Sequence, residues 1–280
     1  MYKFENFAKS DHAIDLQERH QLVEKYLAKL SENLKSEAEL LREDGFLVSD
    51  DCRIDPDQLT DHHPKYTKEF INQVKNNFAP LAAKFKRTGE VNQKVKEGQN
   101  IGELLEIVKT LLFNQDLFGG RLKVVRTSRV DDITNGVDEI AFDTETGFPI
   151  GVIDATASIG SKDDRLDIKM KIGGKLDFGV TLKKEIGKTT IIHEPLSELP
   201  LYVFEMRLND ILEIARAKSV NDYKEVLETI PHIAKSTLSQ FVKQGLKILA
   251  SKDISEKMRV QYSQANQIFI DISKEKGYRR

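Results

Sequence analysis

The sequence predicts an α/β (α+β) protein, with a mixed central sheet dressed by helices from both ends of the chain. Three observations predict it. Apolar residues recur at helical spacing near both termini, β-type runs fill the middle, and a short gap ending in glycine joins two of those runs as a hairpin. With 280 residues, 39% hydrophobic and 31% charged, the chain can bury a sizeable core beneath a charged surface.

The first element is one long helix from about Asp15 to Glu43. Val23, Leu27, Leu30, Leu34, Ala38 and Leu41 recur at spacings of three and four, and Gly45 stands where a helix would stop. The stripe reads as packing within its own domain rather than as a coiled-coil seam. Ser49 to Pro64 is a polar, Asp-rich loop, and a second helical stretch runs from Lys65 to about Phe85, with a break near Pro80. Lys86 to Gly98 is charged and weakly patterned and reads as a boundary.

A helix from Ile101 to about Asn114 opens the middle section. Strands follow at Leu122–Thr127, Val137–Phe142, Phe148–Ala155, Phe178–Leu182, Thr190–His193 and Leu201–Phe204. Helices return at Arg207–Lys218, Pro231–Ala250 and Ile254–Lys274. The division is a helical region over 1–95, an α/β core over 96–206 and a helical region over 207–280 that packs on the core.

Composition narrows the function classes. No stretch approaches the ~20 apolar residues of a membrane span, and the opening residues lack a basic segment followed by an apolar run, so no membrane role or signal peptide is expected. Cys52 is the sole cysteine, which excludes an internal disulfide and a cysteine-rich zinc site and fits a cytoplasmic location. A net charge of −2 offers no global attraction to nucleic acid, so binding would need a local basic patch. Between Lys162 and Lys188, eight basic residues stand against five acidic ones, which reads either as such a patch or as a solvated lysine-rich surface.

The segment with the most chemistry is Val137–Phe142 followed by Phe148–Thr156. If the hairpin loop is Glu145 to Gly147, residues whose numbers sum to 292 oppose one another, and Asp138 faces Asp154. Counting by twos, their face also holds Ile140, Phe142, Phe148, Ile150, Val152 and Thr156, most of it apolar. Two acids at the end of an apolar face repel each other and lose hydration. A divalent cation relieves that cost, and so does pairing with Arg126, Arg129 or a lysine; both readings stay open.

An acid before one strand, a hairpin, and Asp154-x-Thr156 on the next strand resemble the PD-(D/E)XK nuclease motif. The preceding elements agree in order. Gly102–Leu112 resembles that fold's first helix, Leu122–Thr127 its first strand, Asp131–Asp138 the approach to its first aspartate and Ile153–Thr156 its second motif. The resemblance spans about a fifth of the chain. It implies Asp138 and Asp154 as catalytic ligands of Mg²⁺ or Mn²⁺, with Glu106 as the helix carboxylate in preference to Glu103, which Asn100 would engage in a capping box. Asp131 and Asp132 are expected to shape the loop.

Where the family carries lysine, this chain has Thr156. Threonine supplies no positive charge, so either a lysine from elsewhere reaches the site or the site is inactive. Lys162, Lys169 and Lys171 follow closely enough to be brought back, and Lys169 is the first choice for the catalytic cation. His62-His63 beside Asp61 reads as a loop, His193-Glu194 as a strand end, and Ile172–Gly179 as turns without the spacing of a phosphate loop.

The function expected is metal-dependent hydrolysis of phosphodiester bonds in nucleic acid, DNA or RNA. The alternative is an inactive nuclease-fold module that binds nucleic acid or protein. The long helical ends also suit a homodimer.

Overall fold

The architecture comes from a computed structural model that describes residues 16–91, 93–156, 163–186, 188–220 and 230–278. Helix α1 (Leu16–Glu43) stands where its stripe predicts. Val23, Leu30, Leu34, Ala38 and Leu41 are buried and Leu27 is half-buried, and Gly45 ends the helix with a φ of +99° that only glycine adopts freely. The stripe packs on α3 (Gln93–Leu111) and α6 (Leu208–Val220), inside the protein's own core.

Two expectations about the first third are corrected. Helix α2 (Lys68–Val91) passes through Pro80 without a break. The boundary read over Lys86 to Gly98 falls on helix, since the described residues there belong to the end of α2 and the start of α3. Glycines 98 and 102 sit on α3 with open space around them, so they interrupt the pattern without interrupting the helix. Asn100 is therefore inside α3 and caps nothing.

The sheet has four strands in the order β1-β2-β3-β8: β1 (Leu122–Arg126), β2 (Glu139–Asp143), β3 (Pro149–Thr156) and β8 (Leu201–Glu205). The first three form an antiparallel meander, and β8 lies parallel to β3. Between β1 and β2 comes α4 (Arg129–Asn135), capped by Ser128 and stopped by Gly136 in the left-handed conformation. Helix α5 (Asp163–Ile172) follows β3. Two small two-stranded sheets complete the core, β4 (Gly174–Leu176) with β7 (Leu196–Leu199), and β5 (Val180–Glu185) with β6 (Lys188–His193). The strands β4 and β7 were not expected; Ile172–Gly179 had read as turns alone.

Both edges of the four-stranded sheet are closed by side-chain amides that imitate a neighbouring strand. On β1, Asn114 Oδ1 accepts from the Val124 N–H (2.8 Å) and its Nδ2 donates to the Val124 carbonyl (3.1 Å). On β8, Gln244 Oε1 accepts from the Val203 N–H and its Nε2 donates to the Val203 carbonyl, both at 2.8 Å. Asn114 lies in a π-helical turn, Leu112–Leu117, that ends α3. Gln244 projects from α7 (Ile230–Leu249), which packs against α8 (Glu256–Glu275) and β8. Such edges resist pairing with another chain. One continuous cluster of buried side chains draws on α1 through α8.

Candidate functional site

The β2–β3 ladder carries Asp138 and Asp154 to the same end of the hairpin. Glu139 pairs with Ile153, Ile140 with Val152 and Ala141 with Gly151, each summing to 292, as the sequence predicts. The Asp138 N–H also donates to the Ile153 carbonyl (3.1 Å), a pair summing to 291, so the register slips by one there and Asp138 and Glu139 both stand against Ile153 and both reach Lys109. The route to it differs from expectation. The Asp143 N–H donates to Phe148 and Gly147 closes on Asp143, so the loop has four residues, 144–147, rather than three. A bulge between Ala141 and Phe142 inserts Ile150 on β3 and gives the 292 register over Glu139–Ala141. Gly151 permits this, because a β-carbon there would meet the Pro200 carbonyl oxygen at 2.3 Å.

Asp138 is buried, and its surroundings are specific. Its Oδ2 accepts from the Ala155 N–H (2.6 Å) and faces Lys109 Nζ at 3.4 Å. Its side chain is about 10% exposed, and among the described residues every hydrogen bond to the carboxylate falls on Oδ2.

Lys109 is the basic group that sequence reasoning missed. It comes from α3, its side chain is fully buried, and Nζ also lies 3.5 Å from Glu139 Oε2. Glu139 in turn accepts a short hydrogen bond from Thr110 Oγ1. Burial alone would drive the ammonium towards its neutral form. The charges of Glu139, Asp138, Glu106 and Asp154 outweigh burial and hold its pKa above the ordinary lysine value. A signal was present in the sequence: Leu105, Lys109 and Leu112 share the buried stripe of α3 at spacings of four and three.

The helix carboxylate has a different setting from the one expected. Glu106 Oε2 lies 2.7 Å from Arg53 Nη2 and 2.6 Å from Arg126 Nη2. Two guanidinium groups satisfy it, and in this geometry it anchors arginines rather than facing an open cation position. Glu103, freed from any capping role, pairs with Arg126 (2.8 Å) and Arg129 (2.9 Å). Burial would raise its pKa, yet Arg126, Arg129 and Arg53 together lower it to about 2.

Arg53 was also missed. It stands in the polar loop after α1 and reaches the site because Ile54 N–H donates to Arg126 O and Arg126 N–H to Cys52 O, which lays that loop along β1. Its Nη1 contacts Asp132 Oδ2 at 3.2 Å. Asp132, expected only to shape a loop, thus belongs to the site. Burial is the main cause that raises its pKa, to about 6; Arg53 pulls it down, while Glu106 and Asp138 push it up. Asp131 is structural, accepting from Ser128 Oγ and from the N–H groups of Asp177 and Phe178.

Lys169 does not supply the contact made by Lys109. Its ammonium sits over Gly136, where an added β-carbon would come within 2.6 Å of it. Lys171 lies 3.9 Å from Asp253, and Lys162 falls outside the described residues. Thr156 pairs through its backbone with Glu205 on β8.

The charge balance is the site's chief electrostatic property. Asp51, Glu103, Glu106, Asp132, Asp138, Glu139 and Asp154 meet Arg53, Lys109, Arg126 and Arg129, so carboxylates outnumber cations. Among the described residues no group of three or more His, Cys, Asp or Glu side chains is arranged to hold a metal ion. The resemblance names Asp138 and Asp154 as the donor pair, and Mg²⁺ is commonly held by one or two carboxylates with water and phosphate.

No family model matches the chain, and no curated protein and no solved structure matches it. No described helix is long and apolar enough to cross a membrane.

Proposed function

We propose that the chain is a divalent-metal-dependent nuclease of the PD-(D/E)XK kind, hydrolysing phosphodiester bonds with Asp138 and Asp154 as its metal ligands. The observation that carries the reading is the position of Lys109. The motif lacks its lysine at Thr156, and a buried ammonium from the neighbouring helix stands 3.4 Å from the first aspartate instead. The order of elements agrees with the resemblance: a helix with site residues, a first strand, an acid entering the second strand, a hairpin, and an acid on the third.

Each residue then has a role set by its surroundings. Asp138, with Oδ2 fixed by the Ala155 N–H and Lys109, presents Oδ1 to a cation. Asp154, at the same end of the hairpin, is the second ligand. Lys109 is a positioning residue, which orients Asp138 and limits the repulsion between the acids. Glu106 ties Arg53 and Arg126 to α3 and so fixes the helix against β1. A bound Mg²⁺ or Mn²⁺ supplies neutralisation of phosphate charge and a lowered pKa for attacking water.

A second reading draws on the same contacts. Lys109 already compensates Asp138, and arginines already compensate Glu106, so the core holds together without metal as an inactive nuclease-fold module. Incubation of mixed DNA and RNA with Mg²⁺ or Mn²⁺ separates the two. The nuclease reading expects cleavage by the wild type, its loss in Asp154→Asn, and its suppression by EDTA. Absence of cleavage with both metals would leave the inactive module as the better account.

A further inference from the structure

Helix α3 carries the site and then continues past it. Along its length Asn114 meets Val124 in mid-strand, Lys109 meets Asp138 at the strand end, and Glu103 meets Arg126 and Arg129 beyond. Its first turns therefore extend away from the sheet at the end where Asp138 and Asp154 stand. At 1.5 Å per residue, Lys96 lies about 20 Å beyond Lys109 along the helix axis. The last turns of α2 reach the same place, because α2 ends at Val91 and α3 begins at Gln93.

This apex is basic. From Asn76 to Gly98, Lys84, Lys86, Arg87, Lys94 and Lys96 stand against Glu90 and Glu97, in a chain of net charge −2. Lys84, Lys86 and Arg87 are exposed, and of the described side chains from Asn76 to Thr88 only Phe78 and Ala82 are half-buried. This length of α2 covers almost none of the core. Lys96 leans on Glu24 of α1 at 3.7 Å, which braces the apex from behind.

The other lysine-rich surface is placed differently. Lys171, Lys175 and Lys183 pair with Asp253, Asp177 and Glu185. Strand β5 also packs against the β2–β3 turn, where a β-carbon on Gly147 would meet the Leu182 carbonyl at 2.7 Å. That turn lies at the opposite end of the strands from Asp138. Of the two surfaces, the α2–α3 apex is the one at the acids' end of the sheet.

We propose that this apex grips the phosphate backbone of nucleic acid, with Lys84, Lys86 and Arg87 as its contacts. The inference rests on the nucleic-acid reading of the site and adds where the polyanion lies. Exposed lysine and arginine on a projecting helix neutralise phosphates without reading bases, and binding through them releases counterions.

The test is fluorescence anisotropy of a labelled duplex and a labelled single strand, in EDTA, across 50–200 mM salt. It compares the wild-type chain, K84A/K86A/R87A, the charge-keeping K84R/K86R, and K183A/K184A/K188A. Loss of three phosphate contacts should weaken duplex binding about tenfold or more at low salt and flatten the slope of log K against log salt by about 2 to 3. K84R/K86R and the β-hairpin variant should bind as the wild type, and all four proteins should melt together. An apex variant with wild-type affinity and slope overturns the inference while leaving the nucleic-acid reading in place. A wild type that binds neither probe overturns both.

Discussion

Lys109 and Asp138 lie 29 residues apart in the chain, and their charged atoms stand 3.4 Å apart beneath the protein surface. The pair joins α3 to the entry of β2, and the remaining charges of the site are arranged around it. Replacing Lys109 by methionine keeps the stem and removes the charge. Asp138 and Glu139 then stay buried without their cation, a loss on the order of 3–5 kcal/mol. Chemical denaturation should find Lys109→Met destabilised by that amount at pH 7, with the deficit shrinking as acid protonates the two carboxylates. A variant as stable as the wild type at pH 7 would show that Lys109 does not compensate them.

Glu106 separates anchoring from metal binding. Glu106→Gln leaves Arg53 and Arg126 with a neutral partner in a buried setting, which should cost roughly 3 kcal/mol or more. Because its carboxylate faces guanidinium groups, the variant should still gain thermal stability from Mn²⁺. Loss of the Mn²⁺ response in Glu106→Gln, with basal stability unchanged, would return Glu106 to the role of ligand.

Asp132 and Glu103 impose opposite pH dependences. Burial raises the Asp132 carboxyl to about 6, so the folded state binds its proton more tightly than the unfolded chain does. The stability this contributes is full below about pH 4 and is lost as pH rises to about 6, by up to about 3 kcal/mol. Glu103 is lowered to about 2, so its contribution is present above about pH 4.5 and disappears as pH falls towards 2. Relative to the wild type, Asp132→Asn should gain stability between pH 4 and 6, and Glu103→Gln should gain between pH 4.5 and 2. Urea midpoints across that range check both signs.

The amides at the sheet edges are each predicted to matter. Asn114→Ala and Gln244→Ala leave the N–H and C=O of Val124 and Val203 without their partners, at about 1–3 kcal/mol per unsatisfied group. Hydrogen exchange should quicken at the Val124 amide in the first variant and at Val203 in the second. Unchanged exchange at both would mean that another group takes over the edge.

The sequence made the acids legible and hid the cations. Alternation along β2 and β3 gave the 292 register over Glu139–Ala141, where one bulge at Ile150 offset the longer loop, but the slip at Asp138 was not legible because alternation carries no sign of a bulge. The helices α6, α7 and α8 followed from periodicity to within a residue or two of their ends. Arg53 was not legible because its partners are 53 and 74 residues away, brought close by a short pairing of a polar loop with β1. Lys109 was half legible: its place on the apolar stripe marks it as buried, but only the fold names the acids it meets. The break assumed at Lys86–Gly98 failed because charge and glycine signal solvent exposure, which an outward-projecting helix also has.

The most direct test of the central claim is the melting temperature of the wild type and of Asp154→Asn, each with and without Mn²⁺. The claim is that Asp138 and Asp154 share a divalent cation while Lys109 restrains their repulsion. It predicts a rise for the wild type with a saturating dependence on Mn²⁺, about 2.7 kcal/mol of added stability at one hundred times the dissociation constant. Asp154→Asn should lose that rise, since the amide no longer supplies the charge that holds the cation. Equal responses to Mn²⁺ in the two proteins, or none in the wild type, would contradict it.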